Sequence, residues 1–315
     1  MTASNSSAGR TQGGARGAML RDNRREARRR DAEAHTREMA ERLGGEVERS
    51  VRGTTFFDKP PVARRPVEGV VPVVRVVDKD GVAAVLELGR GRADLCDLAI
   101  LDFASFTYPG GGYDRGTMGQ EQALCSESFL YNVLKGFGGW YAENRRRNIN
   151  CELYRDRALV VPKVRFEREK YHSYADVIVA AAPNARRAAE NYHLDETTMA
   201  RAMRSRIRFV LDVCDYLGIT KVVLGAFGCG VFGWDAGVVA ELFREELSGG
   251  AHGVAEVTFA VPRGRRDRNL EHFQHAFAKF PERNDEPFEV PVSKPAKEAP
   301  KPEEDEGEED WRKYL

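Results

Sequence analysis

Two glycine-rich loops and one run of amide and carboxyl side chains carry the chemical information in this sequence. The first loop is Tyr108-Pro109-Gly110-Gly111-Gly112-Tyr113, and seven residues separate Gly112 from the run Gln120-Glu121-Gln122. The second loop is Gly228-Cys229-Gly230-Val231-Phe232-Gly233. Glycines lack a Cβ, so their N–H groups can approach a ligand closely, and a helix start behind them favours an anion. Each loop is therefore a candidate seat for a sugar phosphate. Within the run, Glu121 alone can move a proton, because an amide neither gives nor takes one near neutral pH. Glu121 either points into the cleft that the loops define or simply complements a helix dipole.

The second loop has the spacing G-x-G-x-x-G, which by itself is a weak sign of dinucleotide binding. A hydride-transfer reading needs an acidic residue at the end of the next strand. Here that strand ends Ala260-Val261-Pro262-Arg263, and the motif comes late in the chain. The anion-binding geometry does not depend on that reading, since successive N–H groups cradle phosphate in unrelated proteins. Phe232 either stacks on a base or ribose or plugs the core. Two loops of this kind at strand ends suit a pyrophosphate flanked by two sugars. Five cysteines (Cys96, Cys125, Cys151, Cys214, Cys229) form no C-x-x-C pair and no cluster with histidine. That argues against a zinc site and a disulfide framework, and no metal or cofactor is expected.

These loops require strands and helices to hold them. Val70–Val77 and Ala83–Leu88 read as strands, as does Leu98–Leu101, which leads directly into the first loop. Gln120–Leu134 reads as one amphipathic helix, with Leu124, Phe129, Leu130 and Leu134 on its buried side. Ala175–Ala181 is a strand apolar on both faces. The helix Asp195–Leu217 stops at Gly218, and the strand Lys221–Ala226 enters the second loop. A helix over Asp235–Leu247, a strand over Val257–Val261 and a helix over Asn269–Phe280 complete the order. This alternation predicts a mostly parallel sheet with helices on both faces.

The flanks read differently. Residues 1–20 are rich in Ser, Gly, Ala and Thr and are expected to be disordered. Residues 21–65 form an arginine-rich helical extension with a thin apolar stripe (Ala27, Ala34, Met39, Leu43) and a stop at Gly44-Gly45. It reads as a solvated helix packed by one edge, with a nucleic-acid arm as the weaker alternative. Residues 282–315 form a Pro-, Lys- and Glu-rich acidic tail with no periodicity, expected to be disordered. Lysine plus arginine and aspartate plus glutamate both total 49, so net charge gives no argument for nucleic acid or an acidic membrane. The N-terminus has no signal-peptide core and no segment is long and apolar enough to span a bilayer. A cytoplasmic location is expected, with no membrane partner.

Taken together, DFAS-FTYPGGG-YDRGTMG-QEQ-ALCSESFLY and the downstream GAFGCGVFGWD resemble the microbial-type poly(ADP-ribose) glycohydrolases, a branch of the macrodomain superfamily. The likeness runs from about Arg24 to Phe280. It implies a macrodomain-like three-layer α/β/α fold with a mostly parallel mixed sheet over residues 66–281, behind the helical extension. It also implies ADP-ribose, or an ADP-ribosylated protein, as partner. The implied ligand-binding residues are Asp102, Gly110, Gly111, Gly112, Gln120, Gly228, Cys229, Gly230, Val231, Phe232 and Gly233, with Glu121 and Gln122 at the catalytic positions. The family places a catalytic glutamate where this chain has Gln122. It also places asparagine where this chain has Asp102 and Tyr108, and a polar residue where it has Trp234. An ionised Asp102 would only accept hydrogen bonds, or it would serve as a substitute acid. Two functions follow from the resemblance: an ADP-ribosyl glycohydrolase working through Glu121, or a reader that binds ADP-ribose without turnover.

Overall fold

The computed structural model describes residues 9–63, 67–147, 150–265 and 267–289, excluding the side chains of 9–21 and 146–147. The described residues up to Asp285 form one compact unit, and the described residues beyond it, 286–289, have no helix or strand. In chain order the elements are α1 (Gly9–Gly53), β1 (Thr55–Phe57), β2 (Val73–Val77), α2 (Gly81–Leu88) and β3 (Ala99–Phe103). Next come α3 (Gln120–Ser126), α4 (Leu130–Leu134), α5 (Gly138–Arg147), β4 (Ala158–Arg168) and β5 (Tyr171–Ala180). The rest are α6 (Ala185–Tyr192), α7 (Glu196–Leu217), β6 (Lys221–Leu224), α8 (Ala236–Ser248), β7 (Glu256–Ala260) and α9 (Asn269–Ala276).

Among the described residues the strands make one seven-stranded mixed sheet in the order β1-β4-β5-β3-β6-β7-β2. The pairs β5–β3, β3–β6, β6–β7 and β7–β2 are parallel, and β4 is antiparallel to both neighbours. Strand side chains alternate, and the two faces feed separate cores. Ala99 and Leu101 join Ile178, Val222 and Phe259 beneath α7, α8 and α9. Leu98, Ile100 and Ala104 face the other way, against Val82 and Val85 of α2, Leu124 and Cys125 of α3, and Met39 and Leu43 of α1. The result is the expected three-layer α/β/α fold. The longest helix of the first core, α7, is set by its ends: Asp195 accepts from the Thr198 N–H at 2.7 Å, and Gly218 closes it in the left-handed region.

Several sequence expectations are corrected. Ala83–Leu88 is not a strand but most of α2, because Asp80 caps a helix there, accepting from the Ala83 N–H at 2.9 Å. A short buried apolar run reads alike for helix and strand, and the cap decides. Gln120–Leu134 is two helices. Ser128 breaks it, its hydroxyl donating to Leu124 O and accepting from the Leu130 N–H. Gly44-Gly45 does not stop α1: Leu43 kinks it (φ −122°, ψ 19°) and the helix continues to Gly53. Residues 9–20 are helical, not disordered, since adding turns to a docked helix avoids the cost of nucleation. The expectations for residues 1–8 and 290–315 lie outside the described residues.

The extension packs by one edge. Ala32, Met39 and Leu43 are buried in the second core, His35 Nε2 lies 3.0 Å from Ser128 O, and Asn132 Nδ2 donates to Thr36 O at 2.8 Å. No helix of the described residues is long and apolar enough to cross a membrane.

Candidate active site

Strands β2, β3, β5, β6 and β7 run in one direction, so their carboxyl ends share one edge of the sheet. A cleft of about 1190 Å³ opens there, walled by the loops that follow these strands. Its position follows the general rule for open α/β sheets. Strands β3 and β6 pair at Ala99↔Val222 and Ile100↔Val223 before β6 leaves β3. Beyond that point Gln120 takes over the exposed strand backbone. Its Nε2 donates to Leu101 O at 3.0 Å and its Oε1 accepts from the Phe103 N–H at 2.9 Å. Gln120 lines the cleft, but both ends of its amide hold α3 to β3.

The first loop turns through three consecutive left-handed residues, Gly110, Gly111 and Gly112, with φ of 62°, 57° and 85°. Any L side chain there would be strained by roughly 1–2 kcal/mol per residue. A Cβ on Gly110 would meet the Tyr131 ring at 2.7 Å, and one on Gly111 would meet Glu121 Oε2 and the Gln122 amide. The turn therefore lets Glu121 and Gln122 pack beneath the loop. Gly111 lines the cleft, while Gly110 and Gly112 are buried behind it. The Gly111 N–H donates to Tyr108 O at 3.1 Å, so this amide faces protein, not ligand.

Glu121 is 3% exposed yet contributes to the cleft wall. Its Oε2 accepts from the Ser105 N–H at 2.8 Å, and its Oε1 has no hydrogen-bond partner. Burial, and then the nearby Asp102 carboxyl, push its pKa far above the usual carboxylate range, against the pull of the Ser105 and Gly110 N–H groups. Gln122 lines the cleft beside it, and its Nε2 donates to Gly110 O at 2.9 Å. A carboxylate at that position could not make this bond.

Asp102 does not line the cleft. It is fully buried on the second-core face of β3, and neither carboxyl oxygen has a partner. Burial raises its pKa well above normal. Direct contact with ribose hydroxyls, as first expected, does not match this position, because the strand's alternation turns the side chain beneath α3.

In the second loop, Gly228, Gly230, Val231 and Phe232 line the cleft, and Val231 is 75% exposed. Cys229 and Gly233 do not: the Cys229 thiol packs toward Phe227 O, and Gly233 abuts Arg186. Gly228 is required because a Cβ there would lie 2.7 Å from the Trp234 ring, whose Nε1 donates to Pro183 O at 2.7 Å. Trp234 is thus a buried brace for the loop.

Sequence reasoning missed several wall residues. Phe106 and Tyr154 stack at 4.6 Å, and Tyr154 meets Phe232 edge-on at 6.2 Å, making an aromatic end to the cleft near Asn184 and Arg187. Phe232 therefore belongs to both the wall and a small core. Arg25 and Arg28 of α1 also reach the cleft, their Nε atoms donating to Arg115 O and Gly116 O at 2.9 Å. Among the described residues Asp212, Asp215 and His252 bring three ligand-type atoms within 4.8 Å, but His252 Nδ1 already pairs with Asp215 Oδ2 at 2.7 Å, and the group is not in the cleft.

Comparison with known proteins gives the family. A family model described as the catalytic domain of microbial-type PARG matches residues 28–169. The poly(ADP-ribose) glycohydrolase of Thermomonospora curvata bound to the inhibitor ADP-HPD is similar over 80% of this chain and 100% of its own, at 30% identity and a TM-score of 0.68. This chain belongs to the microbial-type PARG family. A second PARG, from Deinococcus radiodurans in complex with ADP-ribose, is 32% identical over 72% of this chain and 95% of its own, with a TM-score of 0.63. No significant match is found among curated proteins. The span matched by the PARG family model holds the triple glycine and Gln120–Gln122, while the Gly228–Gly233 loop lies beyond it.

Proposed function

We propose that the protein is an ADP-ribosyl glycohydrolase whose working group is the Glu121 carboxyl. The observation that carries this is the state of Glu121: in the cleft wall, held by the Ser105 N–H, with one oxygen unpartnered and burial favouring the protonated form. A carboxyl kept protonated near neutral pH is suited to general-acid work. The solved relatives with ADP-ribose and ADP-HPD support the ligand class.

The reaction balances on one residue. Glu121 gives its proton to the leaving ribosyl oxygen as the glycosidic C–O bond breaks, and positive charge develops on the sugar as an oxocarbenium-like state. The Glu121 carboxylate then takes a proton from water as the water oxygen bonds to the anomeric carbon. Glu121 ends as it began. Gly111, Gly228 and Gly230 shape the wall around the diphosphate and sugars, and Phe232 with Tyr154 closes one end. No metal or cofactor is required by this sequence of steps. The five cysteines are free, which suits a reducing, cytoplasmic setting.

A second reading is favoured by Gln122. Its amide is bonded to Gly110 O where the family resemblance implies a glutamate, and this fits an ADP-ribose reader. Incubation with ADP-ribosylated protein separates the two. Wild type should release ADP-ribose, and Glu121→Gln should lower the rate about 100- to 10,000-fold, the usual worth of a general acid. Activity confined to Gln122→Glu would establish the reader instead.

A further inference from the structure

The segment between β3 and α3 gathers four arginines from three parts of the chain. Gly116 is in the left-handed region at φ 69°, and α1 passes so close that a Cβ there would lie 2.1 Å from Arg25 O. At this crossing Arg25 Nε donates to Arg115 O and Arg28 Nε to Gly116 O, both at 2.9 Å. From α5, Arg145 Nη1 donates to Thr107 O. The guanidinium carbons of Arg115 and Arg145 lie 4.7 and 4.9 Å from the centre of the Tyr108 ring, a contact that orders both groups. Tyr108 and Met118 line the cleft at 41% and 72% exposure, so this edge of it is open to solvent.

The positive charge here is not neutralised by the protein. Among the described residues Arg25, Arg28 and Arg145 have no ion-pair partner, and Arg115 has only the exposed Asp114 at 4.0 Å. Asp22 and Glu26 line an adjoining groove with Arg25, Arg29 and Arg115, and Glu26 is taken by Arg29 at 2.7 Å. Arg25 and Arg28 spend only Nε on the loop, which leaves both Nη groups of each without a hydrogen-bond partner among the described residues. A guanidinium fixed by one edge presents parallel N–H bonds at another, the geometry that suits phosphate oxygens. Arg25 and Arg28 line the cleft, whereas Arg115 and Arg145 lie outside its wall, so the charge runs from the cleft onto its rim. This rim is close to the reacting carboxyl: the Gly111 N–H donates to Tyr108 O at 3.1 Å, and a Cβ on Gly111 would lie 2.4 Å from Glu121 Oε2.

We propose that Arg25, Arg28, Arg115 and Arg145 form a second subsite, which holds the diphosphate of the ADP-ribosyl unit on the leaving side of the bond that Glu121 breaks. The preferred substrate is then a chain of ADP-ribose units, not a single unit on a protein side chain. This rests on the glycohydrolase reading of Glu121. In a chain the leaving oxygen belongs to a ribose that itself carries the next diphosphate, so further negative charge lies within one nucleotide of the scissile bond. A single unit on an amino-acid side chain offers no phosphate on that side. A nucleic-acid strand fits less well, because on α1 Arg29, Arg42 and Arg52 pair with Glu26, Glu38 and Glu48, which interrupts a continuous basic track.

Calorimetry with two ligands, ADP-ribose and a purified two-unit ADP-ribose oligomer, tests the proposal. The full chain carries Glu121→Gln, which keeps the oligomer intact, alone or combined with Arg115→Gln or Arg145→Gln, and far-UV circular dichroism confirms folding. Without the rim substitutions the oligomer should bind about tenfold tighter than ADP-ribose and lose affinity more steeply with salt. Each rim substitution should weaken oligomer binding roughly three- to tenfold and leave ADP-ribose binding within about twofold, since a single unit does not reach beyond the cleft. Equal affinity for the two ligands, or rim substitutions that weaken both alike, would overturn the proposal. So would a short single-stranded DNA of equal phosphate count that displaces the oligomer at the same concentration. An oligomer preference that depends on Arg115 and Arg145, combined with no release of ADP-ribose by wild type, removes only the glycohydrolase reading.

Discussion

Asp102 and Glu121 place an electrostatic cost at the centre of the fold, and that cost has a measurable sign. Both carboxyls retain protons in the folded protein at pH values where the unfolded chain has lost them. The folded state then binds more protons than the unfolded state, so stability falls as pH rises from the ordinary carboxylate range toward the raised folded-state values. Asp102→Asn is expected to match wild type in thermal unfolding at acidic pH and to become progressively more stable toward neutral and alkaline pH. A melting-temperature difference that did not change with pH would contradict this. The residue types that mark the site, three glycines and Gln-Glu-Gln, were legible in the sequence because they are rare in combination. Which of them face the cleft was not. Gly110 and Gly112 differ from Gly111 by orientation alone, set by packing against Tyr131 and Thr117, and the Cys229 thiol turns toward Phe227 O.

At the level of elements, the left-handed turn and the start of α3 act as one unit. Gly111→Ala forces a Cβ within 2.4 Å of both Glu121 Oε2 and Gln122 Nε2 in a backbone region that already disfavours it. The variant should unfold at least ~1 kcal/mol more easily, and calorimetry should detect weakened ADP-ribose binding beyond what that loss explains. Strand and helix order was readable wherever apolar periodicity was clean, as in β3, β5, α7 and α8. It failed for β4, whose register shifts between Val161 and Val164, with Lys163 in positive φ, so that inward and outward residues cease to alternate. It failed again at α2, where the Asp80 cap outweighs a β-like apolar run, and at the junction of α3 with α4, where one serine hydroxyl substitutes for helical bonding.

For the whole molecule, α1 is both core and cleft wall. Met39 is 3% exposed within the second core, and Met39→Ala should cost about 2–5 kcal/mol in denaturant unfolding. Arg28→Ala should leave the fold intact, because Arg28 is half-buried, while loosening the Gly116 segment it holds. A severalfold rise in KM for ADP-ribose release, with little change in kcat, is the expected result. The arginines of this segment were read in the sequence as a solvated face, since nothing local shows that a helix near the amino terminus will lie against a loop some ninety residues away. The sheet order has a consequence for how the protein comes into being. Edge strand β2 pairs only with β7, whose partners Glu256–Ala260 follow Val73–Val77 by about 180 residues. At roughly 5–20 residues per second on the ribosome, the Asp80–Val82 wall waits on the order of ten seconds or more for its neighbour. The nascent chain therefore carries Asp102, Glu121 and both glycine loops before β7 exists to complete the sheet edge beside them.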